Sequence, residues 1–399
     1  MPQRLGVSEI ARLAVENNPD LIAARTQRGV AEAQVLQAGI LPNPSISGGY
    51  AFLLGGPGTF DAITASIGQD VKSLIIRPAK RQAAKAAAQA IDASILWQEW
   101  QTIGKARLLV VDLVEGEKTR RVLSETQGVV EDRLAREQRA LLQRNATLTT
   151  VVPALTAAGD IRKQIDALER QQQTRRRDLN ALLGLSPDVV VPLDSRLDLP
   201  SIDPVVVTAL LPTLPDRRPD IVALQFGYHS QEAKLRGAIL AQFPALVIGA
   251  TGGRDTSDVR TLGPQITFDL PIFDRNQGNV AIEQATREKL RTEFTARLVA
   301  ADAEVRGMLA DQVVLARQLP SIRAQLDRLE AAASRAAAAF AAGNIDERSY
   351  VDLITARIAK QQELIALEQL MLEQQAAIAT LLGAGMPRMM LQQRQEPDR

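Results

Sequence analysis

Four short stretches of the chain alternate with a period of two. In 45–54 the even positions are Ile46, Gly48, Tyr50, Phe52 and Leu54, and the odd ones begin Ser45, Ser47, Gly49. In 62–71 the odd positions carry Ile63, Ala65, Ile67, Gln69 and Val71, against Thr64, Ser66, Gly68 and Asp70. In 262–270 Leu262, Pro264, Ile266, Phe268 and Leu270 alternate with Gly263, Gln265, Thr267 and Asp269; 245–252 is apolar with a weaker alternation. This pattern predicts strands with one apolar face and one small or polar face. Gly55-Gly56-Pro57-Gly58-Thr59 and Gly253-Arg254-Asp255-Thr256-Ser257 are turn chemistry. The expectation is two β-hairpins with strands of about 8–11 residues, the length that a tilted, bilayer-spanning strand needs.

Elsewhere the period is helical. Helices are expected over about 7–39 and 219–241, stopped by Pro42, Pro44 and Pro244. Two very long ones follow the hairpins, about 79–142 and 279–342, each ~95 Å at 1.5 Å per residue. Return helices run over about 148–184 and 346–382. On the last of these, Val351, Ile354, Ile358, Ile365 and Leu372 form one apolar seam. Tyr350, Leu353, Leu364, Leu367 and Met371 form a second, one residue out of phase. Two adjacent seams predict packing against two neighbours, as in a closed ring of helices.

The plan occurs twice. Asn18-Pro19-Asp20-Leu21 recurs as Arg218-Pro219-Asp220-Ile221, and Leu182-Leu183-Gly184 as Leu381-Leu382-Gly383. Pro44 matches Pro244, and Asp70-Val71 matches Asp269-Leu270, all at an offset of 199 or 200. The expected organisation is a first repeat over 5–186, a linker over 187–218, a second repeat over 204–385 and a tail over 386–399.

Composition narrows the function. The 47 Lys+Arg and 46 Asp+Glu balance, which argues against nucleic-acid binding. With no cysteine and only His229, the chain offers no thiol nucleophile and no three-histidine zinc site. No nucleophile–base constellation or phosphate loop is visible, so an enzyme is not expected and no cofactor is implied. No run of about 18 apolar residues exists, and no signal peptide is visible at the start. Either the protein lives in the cytoplasm or the sequence is a mature or trimmed form. Four strands cannot close a barrel, and an open sheet cannot sit in lipid. Three chains would supply twelve strands, with their long helices continuing the wall. The expected fold is therefore mainly α with β: an α-barrel of long coiled-coil helices plus a trimeric, 12-stranded transmembrane β-barrel. A soluble coiled-coil scaffold with two hairpins is the alternative that the residues leave open.

Four segments carry a resemblance. Ser8 to Leu21, Ala38-Gly39-Ile40-Leu41-Pro42-Asn43-Pro44 and Leu270-Pro271-Ile272-Phe273-Asp274-Arg275-Asn276-Gln277-Gly278 resemble the opening helix, first strand entry and second strand-to-helix junction of the TolC family of outer membrane efflux channels. Ala342-Gly343-Asn344-Ile345 with Tyr350, Asp352 and Leu353 is similar to that family's helix-turn tip. The Phe273–Gly278 string especially resembles the heavy-metal cation efflux (CzcC-like) branch; related strings occur in drug-efflux members. The resemblance implies a homotrimer in the outer membrane, with its helices in the periplasm. It implies a periplasmic adaptor and an inner-membrane resistance-nodulation-division pump as partners, and a passive exit duct as function. Two positions depart from the family pattern. The first junction, Ile75-Ile76-Arg77-Pro78-Ala79-Lys80-Arg81, lacks the usual glycines, and the first tip, about 141–147, has none where the second has Gly343.

The candidate residues follow from this plan. Gly343, Asn344, Ile345, Asp346, Tyr350 and Leu353 form the expected periplasmic tip, adaptor contact and gate. Three copies of Asp346 around an axis could act as a charged ring, or Asp346 is an ordinary helix-start acid. Ile63, Ile67, Ile266 and Phe268 are the expected membrane-facing strand residues. Tyr50, Phe52, Phe60, Phe268 and Phe273 suit interfacial aromatic girdles. His229 reads as a surface or packing residue, and Met386, Met389 and Met390 as part of the tail.

Overall fold

A computed structural model describes residues 4–383; the methionines of the expected tail and residues 384–399 lie outside them. The elements are α1 (Val7–Asn17), α2 (Pro19–Gly39), β1 (Ser45–Ala51), β2 (Ala62–Asp70), α3 (Val71–Leu142) and α4 (Leu148–Leu182). They continue with α5 (Pro204–Leu210), a 3-10 turn (Leu211–Thr213), α6 (Leu214–Arg217), α7 (Pro219–Leu240), β3 (Leu246–Arg254), β4 (Arg260–Phe268), α8 (Gln277–Ala341) and α9 (Glu347–Leu381). The mainly helical architecture with four antiparallel strands is the one expected.

Three boundaries differ from the sequence expectation. The opening helix is broken in two, because a residue before proline is pushed out of the helical region. Asn18 is extended (φ −61°, ψ 122°). Its side chain accepts from the Leu21 N–H at 2.9 Å and donates to the Leu182 carbonyl at 3.1 Å. Arg218 makes the same extended break before Pro219. Second, the stretch expected as linker over 187–218 contains α5, the 3-10 turn and α6. Their prolines fall in the first turn of each element, where a missing N–H costs nothing. Third, α3 begins at Val71 and passes through Pro78, giving up one backbone bond. Asp70 fixes that start by accepting from the Ser73 N–H at 3.2 Å and from its hydroxyl.

The chain divides into two compact units. Among the described residues the helical unit comprises those up to Ile22, Trp97–Arg218 and those from Ala300 onward. It has two main cores. In one, Val7, Ile10 and Ala14 of α1 pack with Ala106, Val110 and Leu113 of α3 and with Leu179 and Leu182 of α4. In the other, Val207, Leu211 and Leu214 pack with Val305 and Leu309 of α8 and with Ile378 and Leu382. Val7 and Val207 stand 200 positions apart; Val110 and Leu309, like Leu179 and Ile378, stand 199 apart. Each fully buried aliphatic side chain contributes roughly 1.5–3 kcal/mol.

The sheet-bearing unit comprises Ala23–Leu96 and Pro219–Val299. Its four strands lie in the order β1-β2-β3-β4, all antiparallel. The two hairpins are thus joined edge to edge through β2 and β3, with β1 and β4 at the outside.

Candidate functional site

Register decides the two faces of the sheet. Residues directly opposite share a face. Ile46 pairs with Ile67, Ile67 with Ala250, Tyr50 with Ile63, Ile248 with Ile266 and Leu246 with Phe268. These side chains, with Leu262, form one apolar face. Ile46, Ile67, Leu262 and Ile266 are 79%, 49%, 85% and 65% exposed on it. Water does not favour such a surface at this size. The opposite face carries Ser47, Ser66, Thr64, Thr251, Gln265 and Thr267, and the Ser47 and Ser66 hydroxyls lie 2.7 Å apart. Ile63, Ile67, Ile266 and Phe268 therefore share one exposed face. The register also gives β3, with its weak alternation, a definite orientation.

The aromatics sit at the ends of the strands. Tyr50 and Phe52 meet edge to face with centroids 4.9 Å apart. The Arg254 guanidinium lies 3.8 Å from the centre of Phe60. Phe268 ends β4, and Phe273 in the junction beyond it is 91% exposed.

In the helical unit the α8–α9 turn gathers the six predicted tip residues. Gly343 takes a left-handed conformation (φ +73°), which glycine adopts without a Cβ penalty. Its N–H donates to the Phe340 carbonyl at 2.9 Å, and that of Asn344 to Ala339 at 2.8 Å. Asp346 caps α9: its carboxylate accepts from the Ser349 N–H at 2.7 Å. Hydrogen bonds from the Ser349 hydroxyl and then from its backbone hold the Asp346 carboxyl below the usual range. Ile345 and Leu353 are half-buried, and Tyr350 stacks flat on Phe340 at 4.9 Å, clamping the hairpin.

The α3–α4 turn repeats this backbone. Arg144 N–H donates to Leu141 at 2.9 Å and Asn145 N–H to Ala140 at 2.8 Å. Where the other turn has glycine, Arg144 itself takes φ +62°. The two turns lie together, since Arg136 of α3 pairs with Glu347 of α9 at 2.6 Å and Arg133 lies 3.9 Å from Asp352. Sequence reasoning missed Arg136, Phe340 and Arg144. The constant offset of 199 between Asn145 and Asn344 was the available signal for the last.

Farther along the helices, Asp112 of α3 receives Arg175 of α4 at 2.9 Å and Gln369 of α9 at 3.1 Å. Gln369 also donates to Glu373 at 2.7 Å. Burial, and then a hydrogen bond with Asp112, push the Glu373 carboxyl above its ordinary range; Gln369 and Arg175 pull the other way. His229 is exposed beside Glu232. Among the described residues no group of three or more His, Cys, Asp or Glu could hold a metal ion. Among them too, no helix is long and apolar enough to cross a membrane.

The sequence model of the outer membrane efflux protein family matches residues 210–384. Outer membrane protein OprJ of Pseudomonas aeruginosa is 24% identical over 226 residues, 53% of this chain and 47% of that protein. The chain thus aligns with about half the length of that curated relative. Among solved structures, a membrane protein from Pseudomonas aeruginosa superposes with a TM-score of 0.78 at 19% identity, covering 95% of this chain and 90% of that one. The outer membrane protein VceC from Vibrio cholerae gives 0.76 at 16% identity, covering 94% and 96%. The fold is that of the TolC-like channels, and the second half of the chain carries the family's sequence signature.

Proposed function

We propose, from that fold and that signature, that the chain is the outer membrane channel of a tripartite efflux system, a passive duct with no chemistry of its own. The observation that carries this reading is the four-stranded sheet. One face is apolar and exposed, the other is small and polar, and two edges lack partners. Three copies pairing β4 to β1 would close twelve strands, an even number within the range of such barrels, with no free edge left in lipid. Ile63, Ile67, Ile266 and Phe268 then face lipid, and Ser47, Ser66 and Thr251 the lumen. The Tyr50–Phe52 and Phe268–Phe273 ends serve as aromatic girdles.

The chain is organised in this reading as two structural repeats, 5–186 and 204–385. The Gly343–Asp346 turn is the periplasmic end, where an adaptor protein docks and couples the channel to an inner-membrane resistance-nodulation-division pump. Three copies of Asp346 narrow the lumen there. Heavy-metal cations are the proposed cargo, supported by the Phe273–Gly278 string; organic compounds are the second reading. Fractionation tests the duct. The chain should enter the outer membrane fraction and conduct ions in planar bilayers, whereas recovery in the soluble fraction would favour a coiled-coil scaffold. Loss of the gene should lower tolerance to divalent heavy metals; a loss confined to organic compounds would reassign the cargo.

A further inference from the structure

The two return helices of the helical unit end alike. α4 closes with the Leu183 N–H donating to Leu179 and the Gly184 N–H to Ala181, at 3.0 and 3.1 Å. α9 closes with the Leu382 N–H donating to Ile378 and the Gly383 N–H to Thr380, at 3.0 and 3.1 Å. Gly184 and Gly383 take the same left-handed conformation, φ +67° and +62°. The chain therefore leaves each helix in the same direction relative to the core of its own half.

After Gly184 the chain straps itself over the first core. The Asn180 side-chain amide donates to the carbonyls of Ser186, Pro187 and Val189 at 3.1, 3.0 and 2.8 Å. The Leu5 N–H donates to Pro192 and the Asp194 N–H to Leu5, each at 2.9 Å. Val191 and Leu193 pack against that core, and Val114 at its edge is 8% exposed. The second core is flanked instead by Ile202, Met308 and Leu381. Among the described residues none stands there in the place of Val191 and Leu193. Val313, 199 positions after Val114, is 50% exposed, and Val205, 200 positions after the half-buried Leu5, is 77% exposed. The surface that the first half covers is bare in the second.

The sequence beyond Gly383 repeats the strap. At an offset of 200, Pro387, Met389, Met390 and Leu391 stand for Pro187, Val189, Val190 and Val191. Arg388 replaces Asp188, and the segment from Gly383 to Pro387 is one residue longer than that from Gly184 to Pro187. The match stops at Leu391, because Gln392, Gln393 and Arg394 replace Pro192, Leu193 and Asp194. The polar holds differ too. Ala379 stands for Asn180 and has no amide to donate, and the Val205 N–H already donates to the Asp203 carboxylate at 2.9 Å.

We propose that Pro387–Leu391 folds back as a second strap, with Leu391 seated on the bare surface at Val313 and Val205 of its own chain. The occupant is this segment rather than another protein. The chain leaves α9 toward that surface, and it carries the same apolar string at nearly the same distance as the segment that covers the first core. Met389 and Met390, with flexible thioether side chains, fill an irregular surface readily. Without the three Asn180 hydrogen bonds the second strap is held by apolar contact alone, and it opens more readily than the first. The inference rests on the duplication and its two cores, and stands independently of the trimeric reading above.

The chain has no cysteine, so an introduced thiol reports on its own surroundings. In the full chain, extracted from membranes, Val313→Cys should react with a maleimide at least ~10-fold more slowly than the same thiol in a chain that also carries Leu391→Asp, the protection expected from seating one leucine side chain. Fast reaction in both chains overturns the strap. Slow reaction in both shows that a neighbouring copy or another protein covers Val313, and overturns it equally. Val190→Cys, exposed on the first strap, should react at one rate with or without Leu391→Asp. A change there would place the effect in the fold as a whole and overturn the local seat. As a second arm, a short thiol cross-linker on Val313→Cys with Leu391→Cys should join the two residues within one chain, read by peptide mass; a link between chains, or none, contradicts the intramolecular strap.

Discussion

The two helical turns reverse the chain with the same pair of backbone hydrogen bonds and different residues. At one turn Gly343 supplies the positive φ; at the other Arg144 adopts it. A side chain in that region costs roughly 1–2 kcal/mol. The return helices differ as well. α9 begins with a capping Asp346 and the charges Glu347, Arg348 and Asp352, whereas Thr147 gives α4 no side-chain cap and residues 145–159 carry no charge. The comparison teaches that turn geometry here is set by the antiparallel packing of the helices it joins. Glycine makes the turn cheaper and is not what specifies it.

The largest expected effect lies outside the turns, where the two halves should behave alike. Ile67→Arg in β2 and Ile266→Arg in β4 should each destabilise the membrane-inserted protein by about 2–4 kcal/mol near the midplane, measured by denaturant unfolding from vesicles. Ser66→Arg, on the other face, should be tolerated and change conductance. Equal losses at Ile67 and Ser66 would show that the faces are assigned wrongly.

At the turns the halves should diverge. Gly343→Val places a β-branched residue at φ +73° with no steric neighbour, so its cost is conformational, about 2 kcal/mol. Hydrogen exchange of the Asn344 amide should accelerate accordingly, without loss of the assembled protein. Arg144→Gly should act oppositely and more weakly, slowing exchange at Asn145 by a few-fold, because relief of strain is partly offset by glycine's larger unfolded-state entropy. Equal exchange at Asn145 in both forms would mean that Arg144 is unstrained. Asp346→Ala should lower the melting temperature through loss of the cap, and Thr147→Ala should leave it unchanged; the reverse ranking would contradict the asymmetry.

The smallest effect is a pH dependence carried by Glu373, a residue with no titratable counterpart at the matching position of the first half. Glu373 titrates above its ordinary range in the folded chain, so the folded state holds its proton more tightly than the unfolded one. The stability this contributes is complete below the ordinary glutamate range and is lost as pH rises through the raised value. Glu373→Gln should flatten that slope in melting temperature against pH and stabilise the protein near neutrality. Thr174, 199 positions earlier, has nothing to titrate there. An unchanged slope would remove Glu373 from the Asp112 network.

Much of this was legible along the chain because it is local or periodic. Alternation at Ile63, Ile67 and Ile266 located the strands and their faces, and the spacing of Val351, Ile358 and Ile365 located a seam that is buried. What escaped had no local signal. Arg144 at positive φ leaves no compositional mark. The stretch 187–218 reads as linker, although Pro204, Pro212 and Pro215 each sit in the first turn of a short element whose Val207, Leu211 and Leu214 are core. The Arg136–Glu347 pair joins residues 211 positions apart, a separation that no pattern within one helix reveals.

The central claim is that one chain supplies a third of a closed barrel. The most direct test is the mass of the full chain extracted from membranes in mild detergent, with its helicity monitored in the same sample. The account predicts a particle of three chains. A stable single chain with native secondary structure and a melting transition independent of concentration would contradict it.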